Sequence, residues 1–553
     1  MIHDNTNYPY DSNSTGIVNE ATIAQIQKNE EKGKENIINK AKAELQKYIL
    51  ELFHTDVGDT YALVKFRDKK GILPLKASEL KKQFTYMLSK QNINLSKYQI
   101  EQLINSLEGQ ASYEGEEREL NTRVAKTAKG VEIDLNDGSG NCILVTQDSW
   151  RIAEPEAYFI APKSLGKLPT PETVEGGELN LFKRYFRLKK DSDLILLITL
   201  CIYYLMPETS YPITVLKGPK GSGKSTATSM IKGLLDPETG DRASPPRNEE
   251  DLYASAAARH ISSFDNMSNI KKDMSDALCR LSTGGTYRKR ALYSAFDESS
   301  MSLCKPIIIN GIPDLATKSD LINRIFTIEL EPISSSISEE ELWAQFNADK
   351  PRMLSYLLSG LQYAIADTKA FDASKVSTRF SNFAKLGCSL ERFFGWRENG
   401  FADAVFDNKN QAVLDNLNQE PVVNALWSYF SSIDDENIKL SSRDLLERLN
   451  EHAGLEANSR KWPSNAQALS NIISILGNDL EAIGIKFVGR DRTSNQRFLV
   501  FERLSNFKSI EQNNDAGDAY DDVKSQFIQQ NTLIENDRSS APYITSALSH
   551  FDD

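Results

Sequence analysis

Cysteine is scarce in this sequence, and its placement excludes two common kinds of site. The 553 residues include five cysteines, at Cys142, Cys201, Cys279, Cys304 and Cys388. None has a CxxC or Cys/His spacing, so no zinc site is indicated. Their odd number and scattered positions do not suggest a disulfide framework either, and we expect free thiols in a reducing compartment.

Long hydrophobic runs are also missing. The longest, residues 194–206, is too short to cross a bilayer and contains Thr199 and two tyrosines, so we expect it to form a buried helix. The first residues show no basic segment followed by an apolar one, as a secretory signal would. These absences predict a cytoplasmic protein without a membrane partner.

Positive charge is in deficit, since the net charge is −12. This argues against a protein that coats nucleic acid with its whole surface, but a local basic patch would be averaged away in the total. Much of the acidic excess lies in residues 507–553, which have few apolar side chains. We expect this tail to be disordered.

The length predicts several domains, because single cores rarely grow past about 250–300 residues. We expect a multidomain α/β protein in which residues 179–206 are helical. Asp134 and Asp137 are expected to be turn and strand-edge residues rather than catalytic ones. The expected segments are a disordered start and a helix over residues 19–54 (1–55), a small α+β domain (56–165), a helical lead-in with the central domain (176–335), a helical lid region (336–419), a C-terminal domain (420–506) and the acidic tail (507–553).

The most specific motif is a P-loop pattern, in which Gly218 is followed after four residues by Gly223-Lys224-Ser225. A β-branched strand over residues 213–216 precedes it and a helix over residues 225–235 follows. Backbone N–H groups of such a loop face phosphates, the lysine reaches the β- and γ-phosphates and the serine hydroxyl holds Mg²⁺. The sequence thus predicts ATP and Mg²⁺ as cofactors, bound by Gly218, Pro219, Lys220, Gly221, Ser222, Gly223, Lys224, Ser225 and Thr226.

Four further residues are placed for catalysis around such a loop. Asp265 ends a short strand and is expected to hold Mg²⁺ through water, together with Ser225. Asn266 stands where many P-loop ATPases carry a water-activating glutamate, and an amide cannot accept a proton but can orient the water. Asn310 ends an apolar strand and suits a sensor of the γ-phosphate. Arg324 precedes another apolar strand, where a phosphate across a subunit boundary and a buried salt bridge are both open.

One neighbour of these motifs has a simpler interpretation. His260 begins the strand that leads to Asp265. We expect a surface or strand-edge histidine there.

In their order along residues 207–332, these motifs and the segment TGGTYRKRALY (residues 283–293) resemble the AAA+ core of superfamily 3 helicases. The likeness is closest to the primase–helicase type of phages, plasmids and bacterial mobile genetic elements. It implies a hexameric ring with ATP between subunits and single-stranded DNA in the pore. It also implies that Arg324 acts as a finger in the neighbouring subunit, while the residues that act within one subunit are Lys224, Ser225, Asp265 and Asn310.

The resemblance further implies a pore hairpin with basic residues. Arg288, Lys289 and Arg290 lie near its expected start, whereas the expected tip, residues 294–299, is acidic. For any one of the three residues, a DNA contact and a solvated charge run both remain open.

The C-terminal domain has the pattern of a winged helix. Three helices, over residues 422–430, 442–452 and 465–476, precede a hairpin made by residues 485–488 and 497–501. Arg490, Arg492 and Arg497 are candidates for phosphate contacts with duplex DNA. Docking on a protein remains the alternative, because the third helix has few basic residues.

Two hypotheses of function follow, with a third behind them. The first is an ATP-dependent DNA helicase, a hexameric motor that replicates a mobile or viral element. The second is a non-translocating AAA+ ATPase that acts as an assembly switch in signalling or anti-phage defence, which Asn266 and the acidic hairpin tip favour. A protein-remodelling AAA+ enzyme is the third.

Overall fold

A computed structural model describes residues 37–505 and 507, apart from short gaps at 67–68, 173–176, 240–244, 268–269, 291–297, 312–318, 334–336, 370, 373–375, 418–419 and 493–496. The acidic tail therefore lies outside the described residues except for Phe507, which is buried and so differs from the disorder expected of residues 507–553. The chain divides into two compact units, residues 1–313 with 323–405 and residues 314–322 with 406–553. No helix in the described ranges is long and apolar enough to span a membrane.

The first elements form a small α/β layer with its own core. Strands β1 to β4 pair in the order β3-β2-β1-β4, and two helices lie against them. Leu80, Phe84, Leu103 and Leu107 are among the side chains buried between the helices and the sheet. The elements are α1 (residues 37–45), β1 (Ile49–His54), β2 (Thr60–Phe66), β3 (Lys69–Pro74), α2 (Ser78–Lys90), α3 (Lys97–Tyr113) and β4 (Glu116–Glu117).

The helix predicted over residues 19–54 is wrong at its C-terminal end. Helix α1 ends at residue 45, and Ile49–His54 is a strand that pairs antiparallel with β2. Pairing with β2, the next strand of the chain, outweighs the local helical spacing of Tyr48 and Leu52, since a strand buries Phe53 completely. Residues 19–36 lie outside the described part.

A second sheet packs on the central part of the chain. It has the order β6-β7-β8-β9, and its buried residues, among them Ile133 and Ile143, belong to the same core as Phe182 and Leu197. Residues 56–165, expected to form one domain, thus contribute to two hydrophobic cores. The elements are β5 (Leu120–Asn121), β6 (Val124–Lys126), β7 (Val131–Asp134), β8 (Cys142–Val145), β9 (Trp150–Ala153) and β10 (Tyr158–Phe159).

The predicted helix over residues 179–206 is split into α4 (Glu178–Tyr185) and α5 (Asp191–Tyr203). Between them Leu188 forms a bridge with Leu330, and the Lys189 N–H donates to the Glu329 carbonyl at 2.9 Å. The chain leaves the helical path there to pair with the end of a strand. Helix α5 is almost wholly buried, as the apolar run predicts.

The central sheet positions the candidate site. Its four strands are parallel in the order β12-β15-β11-β16. Strand β11 is buried and central, so the loop that follows it emerges in the middle of the sheet edge. The elements are β11 (Ile213–Lys217), α6 (Lys224–Leu235), α7 (Glu249–Ala257), β12 (Ser262–Phe264), α8 (Lys272–Ser282), β13 (Gly285–Arg290), β14 (Glu298–Leu303), β15 (Ile307–Asn310), α9 (Ser319–Ile322) and β16 (Ile325–Glu329).

Three helices follow, and the first two pack on α5. They are α10 (Glu339–Ala366), α11 (Ser381–Phe394) and α12 (Gly400–Leu417). Leu357 and Leu390 are fully buried in the core that also holds the central sheet. The region predicted to be helical, residues 336–419, thus contains three helices.

The second unit contains the predicted three helices and hairpin. A further strand, β17, was not predicted and pairs with β19, which gives the sheet order β17-β19-β18. Leu445, Leu469 and Phe501 are buried in its core. The elements are α13 (Pro421–Ser431), β17 (Asn437–Ser441), α14 (Ser442–His452), α15 (Ala466–Leu476), β18 (Ile485–Arg492) and β19 (Arg497–Arg503).

Candidate nucleotide-binding site

The P-loop pattern joins the end of β11 to the start of α6, as the sequence predicts. Gly221 and Gly223 have φ angles of 84° and 75°, which favour glycine because other residues are strained there. A Cβ at Gly218 would lie 2.6 Å from the Ser222 hydroxyl and 2.7 Å from the Leu330 carbonyl. The loop therefore requires glycine at these three positions, and it aims the N-terminus of α6 outward.

Lys224 lies in the first turn of α6 and folds back over the loop. Its ammonium donates to the carbonyls of Gly218 and Pro219, both at 2.8 Å. No carboxylate of the described residues forms an ion pair with it. A positive charge held by carbonyl groups at a helix N-terminus is suited to a phosphate.

Ser225 meets Asp265, the residue that follows β12. The serine hydroxyl donates to the aspartate Oδ1 at 3.2 Å. These oxygens come from adjacent parts of the sheet edge and are of the kind that Mg²⁺ prefers. In the described residues no group of three or more His, Cys, Asp or Glu side chains is placed to hold a metal ion, so a metal here would take its other ligands from phosphate and water.

Asn310 links these parts. Its side chain, 1% exposed, donates to Thr228 Oγ1 at 3.2 Å and lies 3.5 Å from Ser225 Oγ. Its Oδ1 accepts the Asn266 N–H at 2.9 Å. One buried amide thus fixes the first turn of α6 and the turn after β12. Thr228 was missed by the sequence analysis, although its place one helical turn after Lys224 puts it on the same face.

The backbone conformation at position 266 favours asparagine. Its φ angle is 54°, in the left-handed region, where asparagine is enriched and most other residues are strained. The side chain is exposed. A glutamate at this position would work against the turn that brings the Asn266 N–H to Asn310.

Arg324 is not brought to this site. It directly precedes β16, which pairs in parallel with β11 so that Ile325 lies beside Ile213. The loop begins at Gly218, five residues after Ile213. At about 3.3 Å per residue, the start of the loop lies roughly 16 Å along β11 from the end of the sheet where Arg324 is. Arg324 is 8% exposed. The guanidinium therefore cannot serve the nucleotide of its own chain from this position.

Behind the site lies a buried polar cluster that the sequence did not predict. Arg123, fully buried, donates from Nε to Asp236 Oδ1 at 3.1 Å. Asp236 ends α6, and its Oδ2 accepts the N–H groups of His260 and Ile261 at 3.1 and 2.9 Å. Burial alone would raise the pKa of Asp236, but Lys232 and Arg123 hold the pKa below its usual value. The cluster ties the P-loop helix and the strand leading to Asp265 to the second sheet.

His260 is part of this cluster and lies just before β12, as the strand-edge expectation had it, but it is buried, so the surface position is wrong. It is 4% exposed, and its Nε2 lies 2.6 Å from the Tyr204 carbonyl, to which it must donate. Burial lowers the pKa of His260 to about 4. The imidazole is therefore neutral at physiological pH and serves packing rather than proton transfer.

The candidate DNA-binding residues fall into two places. Arg288, Lys289 and Arg290 end strand β13, which pairs with β14 in a hairpin. Their side chains and the expected tip up to residue 297 lie outside the described part. Arg490 and Arg492 end β18, and Arg497 begins β19, in the second unit.

In that unit several cations are already engaged. Arg490 donates to the Ser470 carbonyl at 3.2 Å and to the Ser474 hydroxyl of α15. Lys439 forms an ion pair with Asp491. Arg492 and Arg497 are exposed.

The solved structures that match this chain share little sequence with it. The "SCCmec type IV Cch - active helicase" structure has 12% identity and a TM-score of 0.47, over 82% of this chain and 93% of that one. "The A form apo structure of NrS-1 C terminal region-CTR" has 13% identity and a TM-score of 0.39, over 84% of this chain and 98% of that one. No curated protein matches the sequence.

Two family models match adjoining parts of the chain. A model described as "Actinomycete integrative conjugative element replication protein" matches residues 183–418. A second, described as "AICE RepA C-terminal domain", matches residues 422–515. Together they cover more than half of the 553 residues.

Proposed function

The chain belongs to the replication proteins of actinomycete integrative conjugative elements, and on this premise we propose that it is an ATP-dependent DNA helicase that unwinds the element's DNA for replication. The observation that carries the proposal is the meeting of Ser225, Asp265 and Asn310 beside the loop of Lys224. These residues lie on three different elements and are brought within hydrogen-bond distance where a P-loop ATPase holds its phosphates.

The residues at the loop have separate tasks in this proposal. The backbone N–H groups of residues 220–226 bind the phosphates, and Lys224 exchanges its loop carbonyls for phosphate oxygens. Ser225 and Asp265 would hold Mg²⁺, which when bound supplies positive charge to the β- and γ-phosphates. Asn310, fixed by Thr228 and the Asn266 N–H, would sense the γ-phosphate. The exposed Asn266 amide would orient the attacking water and takes up no proton.

The proposal includes a hexameric ring with ATP at the subunit boundary. Arg324 lies at the far end of its own sheet from its own loop, which favours action on the ATP of a neighbour. Because this side chain is 8% exposed, its guanidinium must turn outward on assembly. The other possibility for Arg324, a structural role inside its own subunit, predicts a loss of stability when it is replaced.

DNA is proposed to contact two surfaces of the motor. The hairpin of β13 and β14 would place Arg288, Lys289 and Arg290 in the pore, against a single strand. The second unit is proposed to be a winged helix, because it has three helices and a three-stranded sheet whose last two strands form a hairpin. Arg492 and Arg497 on that hairpin would contact duplex phosphates.

A second candidate function is favoured by one observation. Asn266 replaces the glutamate that many P-loop ATPases use to activate water, and its left-handed backbone explains the asparagine structurally. Slow hydrolysis would suit an AAA+ ATPase that acts as an assembly switch and does not translocate.

The two candidates differ in how hydrolysis responds to DNA. We would measure ATP hydrolysis with and without a single-stranded oligonucleotide, for wild type and for Lys224→Ala. A motor is expected to hydrolyse ATP several-fold faster with DNA, and the variant to be inactive in both conditions. Hydrolysis that depends on Lys224 but not on DNA would favour the switch.

The subunit boundary has a test of its own. Arg324→Ala is expected to bind ATP and hydrolyse it poorly, and mixing it with Lys224→Ala should restore part of the activity, because each variant supplies the half-site that the other lacks. Hydrolysis that is independent of protein concentration and of Arg324 would contradict the shared site.

A further inference from the structure

Positive charge is concentrated in one short part of a chain that is acidic overall. Residues 60–100 contain nine Lys and Arg against two Asp and Glu, whereas the whole chain has a net charge of −12. Most of this segment forms β2, β3, α2 and the start of α3. The charge thus accumulates on one part of the small α/β layer, since residues 37–117 as a whole contain 12 Lys and Arg against 11 Asp and Glu. Neither the nucleotide site nor the proposed pore and wing assign a task to this part.

Part of this charge surrounds a groove between α2 and α3. The groove has a volume of about 570 Å³ and is lined by Lys81, Lys82, Thr85, Tyr86, Ser89, Leu95, Lys97, Ile100 and Glu101. The α2 members recur at helical spacing along one face, while the opposite face, with Leu80, Phe84 and Met87, is buried in the core. The packing of the layer therefore needs none of these lysines.

The groove lysines are not neutralised by neighbours. In the described part of the chain Lys81, Lys82 and Lys97 form no ion pair with a carboxylate, and Glu101 is the one acid in the lining. Elsewhere on the same layer, cations are paired: Lys76 lies 3.6 Å from Glu108 and Lys70 lies 3.4 Å from Glu154. Uncompensated charge along a groove is suited to an anionic chain.

An aromatic ring lies among these lysines. Tyr86 is 46% exposed, and Phe66 of β2 packs edge-on against it with ring centroids 6.2 Å apart. The Lys90 ammonium lies 5.4 Å from the centroid of the Tyr86 ring. The hydroxyls of Thr85 and Ser89 donate to carbonyls of their own helix, so they offer no free donor. The ring is thus held in place beside cations but remains accessible.

We propose that the groove between α2 and α3 binds single-stranded DNA, with Lys81, Lys82 and Lys97 on the phosphates and a base stacked on Tyr86. Basic grooves with accessible aromatic rings bind single strands because each base offers a flat face for stacking. The choice of DNA as the ligand rests on the proposed function, but the binding itself requires no ATP. An acidic protein segment is the rival occupant, and it would have no need of the tyrosine ring.

The test uses the full chain without nucleotide, so that a failure of the motor does not affect it. Fluorescence anisotropy of labelled oligo(dT) would be measured across a salt series for Lys82→Glu/Lys97→Glu. The matched control is Lys271→Glu/Lys272→Glu, which reverses two exposed lysines at the start of α8. The salt slope is the slope of the logarithm of the binding constant against the logarithm of the salt concentration. If the groove variant loses two phosphate contacts, this slope should fall by about 1.4, since each contact contributes about 0.7 on single strands. The control should keep the wild-type slope.

The ring is tested separately. Tyr86→Ala is expected to weaken oligo(dT) binding at least about fivefold, the lower end for loss of one stacked base, whereas Tyr86→Phe should bind like wild type. Photocrosslinking to 5-iododeoxyuridine in the oligonucleotide should place the adduct on the peptide with Tyr86, and Lys82→Glu/Lys97→Glu should reduce it.

Three results would overturn the proposal. They are equal slopes for the groove and control variants, no effect of Tyr86→Ala, or losses confined to duplex DNA. If the motor fails but the groove results hold, the groove stands while the proposed function does not. Melting curves for each variant would show that the layer remains folded.

Discussion

In the nucleotide site, Ser225, Asp265 and Asn310 come from three elements and meet within 3.5 Å. In the second unit, Arg490 is bonded to the neighbouring helix α15, and Lys439 is paired with Asp491 of the adjacent hairpin. The first set joins polar side chains of three elements beside the P-loop and is the basis of the proposed nucleotide site. The second set has contacts that stabilise its own fold, so its basic residues are weaker evidence for a DNA surface than their sequence pattern suggests.

The largest effect that this comparison predicts is at Lys224. Lys224→Ala should lower ATP hydrolysis at least about a thousandfold, since it removes the charge aimed at the phosphates. Its thermal stability should stay near that of wild type, because the ammonium contacts only loop carbonyls. Lys220→Ala is the matched control, as this exposed lysine lies in the same loop and should retain most activity. Normal ATP hydrolysis by a folded Lys224→Ala variant would contradict the assignment of this loop as the nucleotide site.

The next effect is expected at Asn310, whose side chain links α6 to the turn after β12. Asn310→Ala should lower hydrolysis about 10- to 100-fold, because the first turn of α6 and the turn of Asn266 lose their common partner. It should also lower the free energy of unfolding by about 1–3 kcal/mol, since the partners are left buried. Thr228→Val removes one of these bonds and should have a smaller effect in both assays. If the two variants behave alike, Asn310 has no sensing role beyond that bond.

The third effect is a pH dependence of the free energy of unfolding, caused by His260 in the buried polar cluster behind the site. Burial lowers the pKa of His260 to about 4, from about 6.5 in an unfolded chain. As pH falls, His260 therefore takes up a proton in the unfolded state before it does so in the folded state. The contribution of the neutral, buried imidazole to stability is present above pH 6.5 and is lost towards pH 4. Between pH 6.5 and pH 5 the loss is about 2 kcal/mol.

Chemical denaturation at several pH values measures this loss. His260→Gln, which keeps a side-chain N–H for the Tyr204 carbonyl, should flatten the profile. An unchanged profile in His260→Gln would show that the acid sensitivity lies elsewhere.

The smallest effects are expected in the second unit. Arg492→Ala/Arg497→Ala should lower the salt slope of duplex DNA binding by about two, if both contact phosphates. Arg490→Ala should change duplex affinity by less than about twofold, because its guanidinium is held by α15. A large loss for Arg490→Ala alone would reverse the comparison, since it would show that the bond to α15 opens for DNA.

The sequence predicts most of the central elements because local patterns are strong there. The strand before the P-loop, the helix after it and the strands ending near Asp265 and Asn310 are confirmed. The roles assigned to these residues stay predictions. The three C-terminal helices are also confirmed, since their apolar spacing is regular.

Two strands were missed for different reasons. Strand β17 pairs with β19 far along the chain, which no local period reveals, whereas β1 pairs with β2 across a short turn and was missed because its apolar residues also fit a helical spacing. The Arg123–Asp236 pair joins residues far apart in sequence, and the burial of His260 was not predicted because nothing near it in sequence indicates burial. Asn266 is explained only by its backbone angle.

The most direct test of the central claim is strand displacement on a forked DNA substrate with ATP and Mg²⁺, for wild type beside Lys224→Ala and Lys220→Ala. The account predicts that wild type and Lys220→Ala separate the strands, while Lys224→Ala binds the fork without separating them. Hydrolysis of ATP by wild type with no displaced strand, in an assembled and DNA-bound protein, would contradict it.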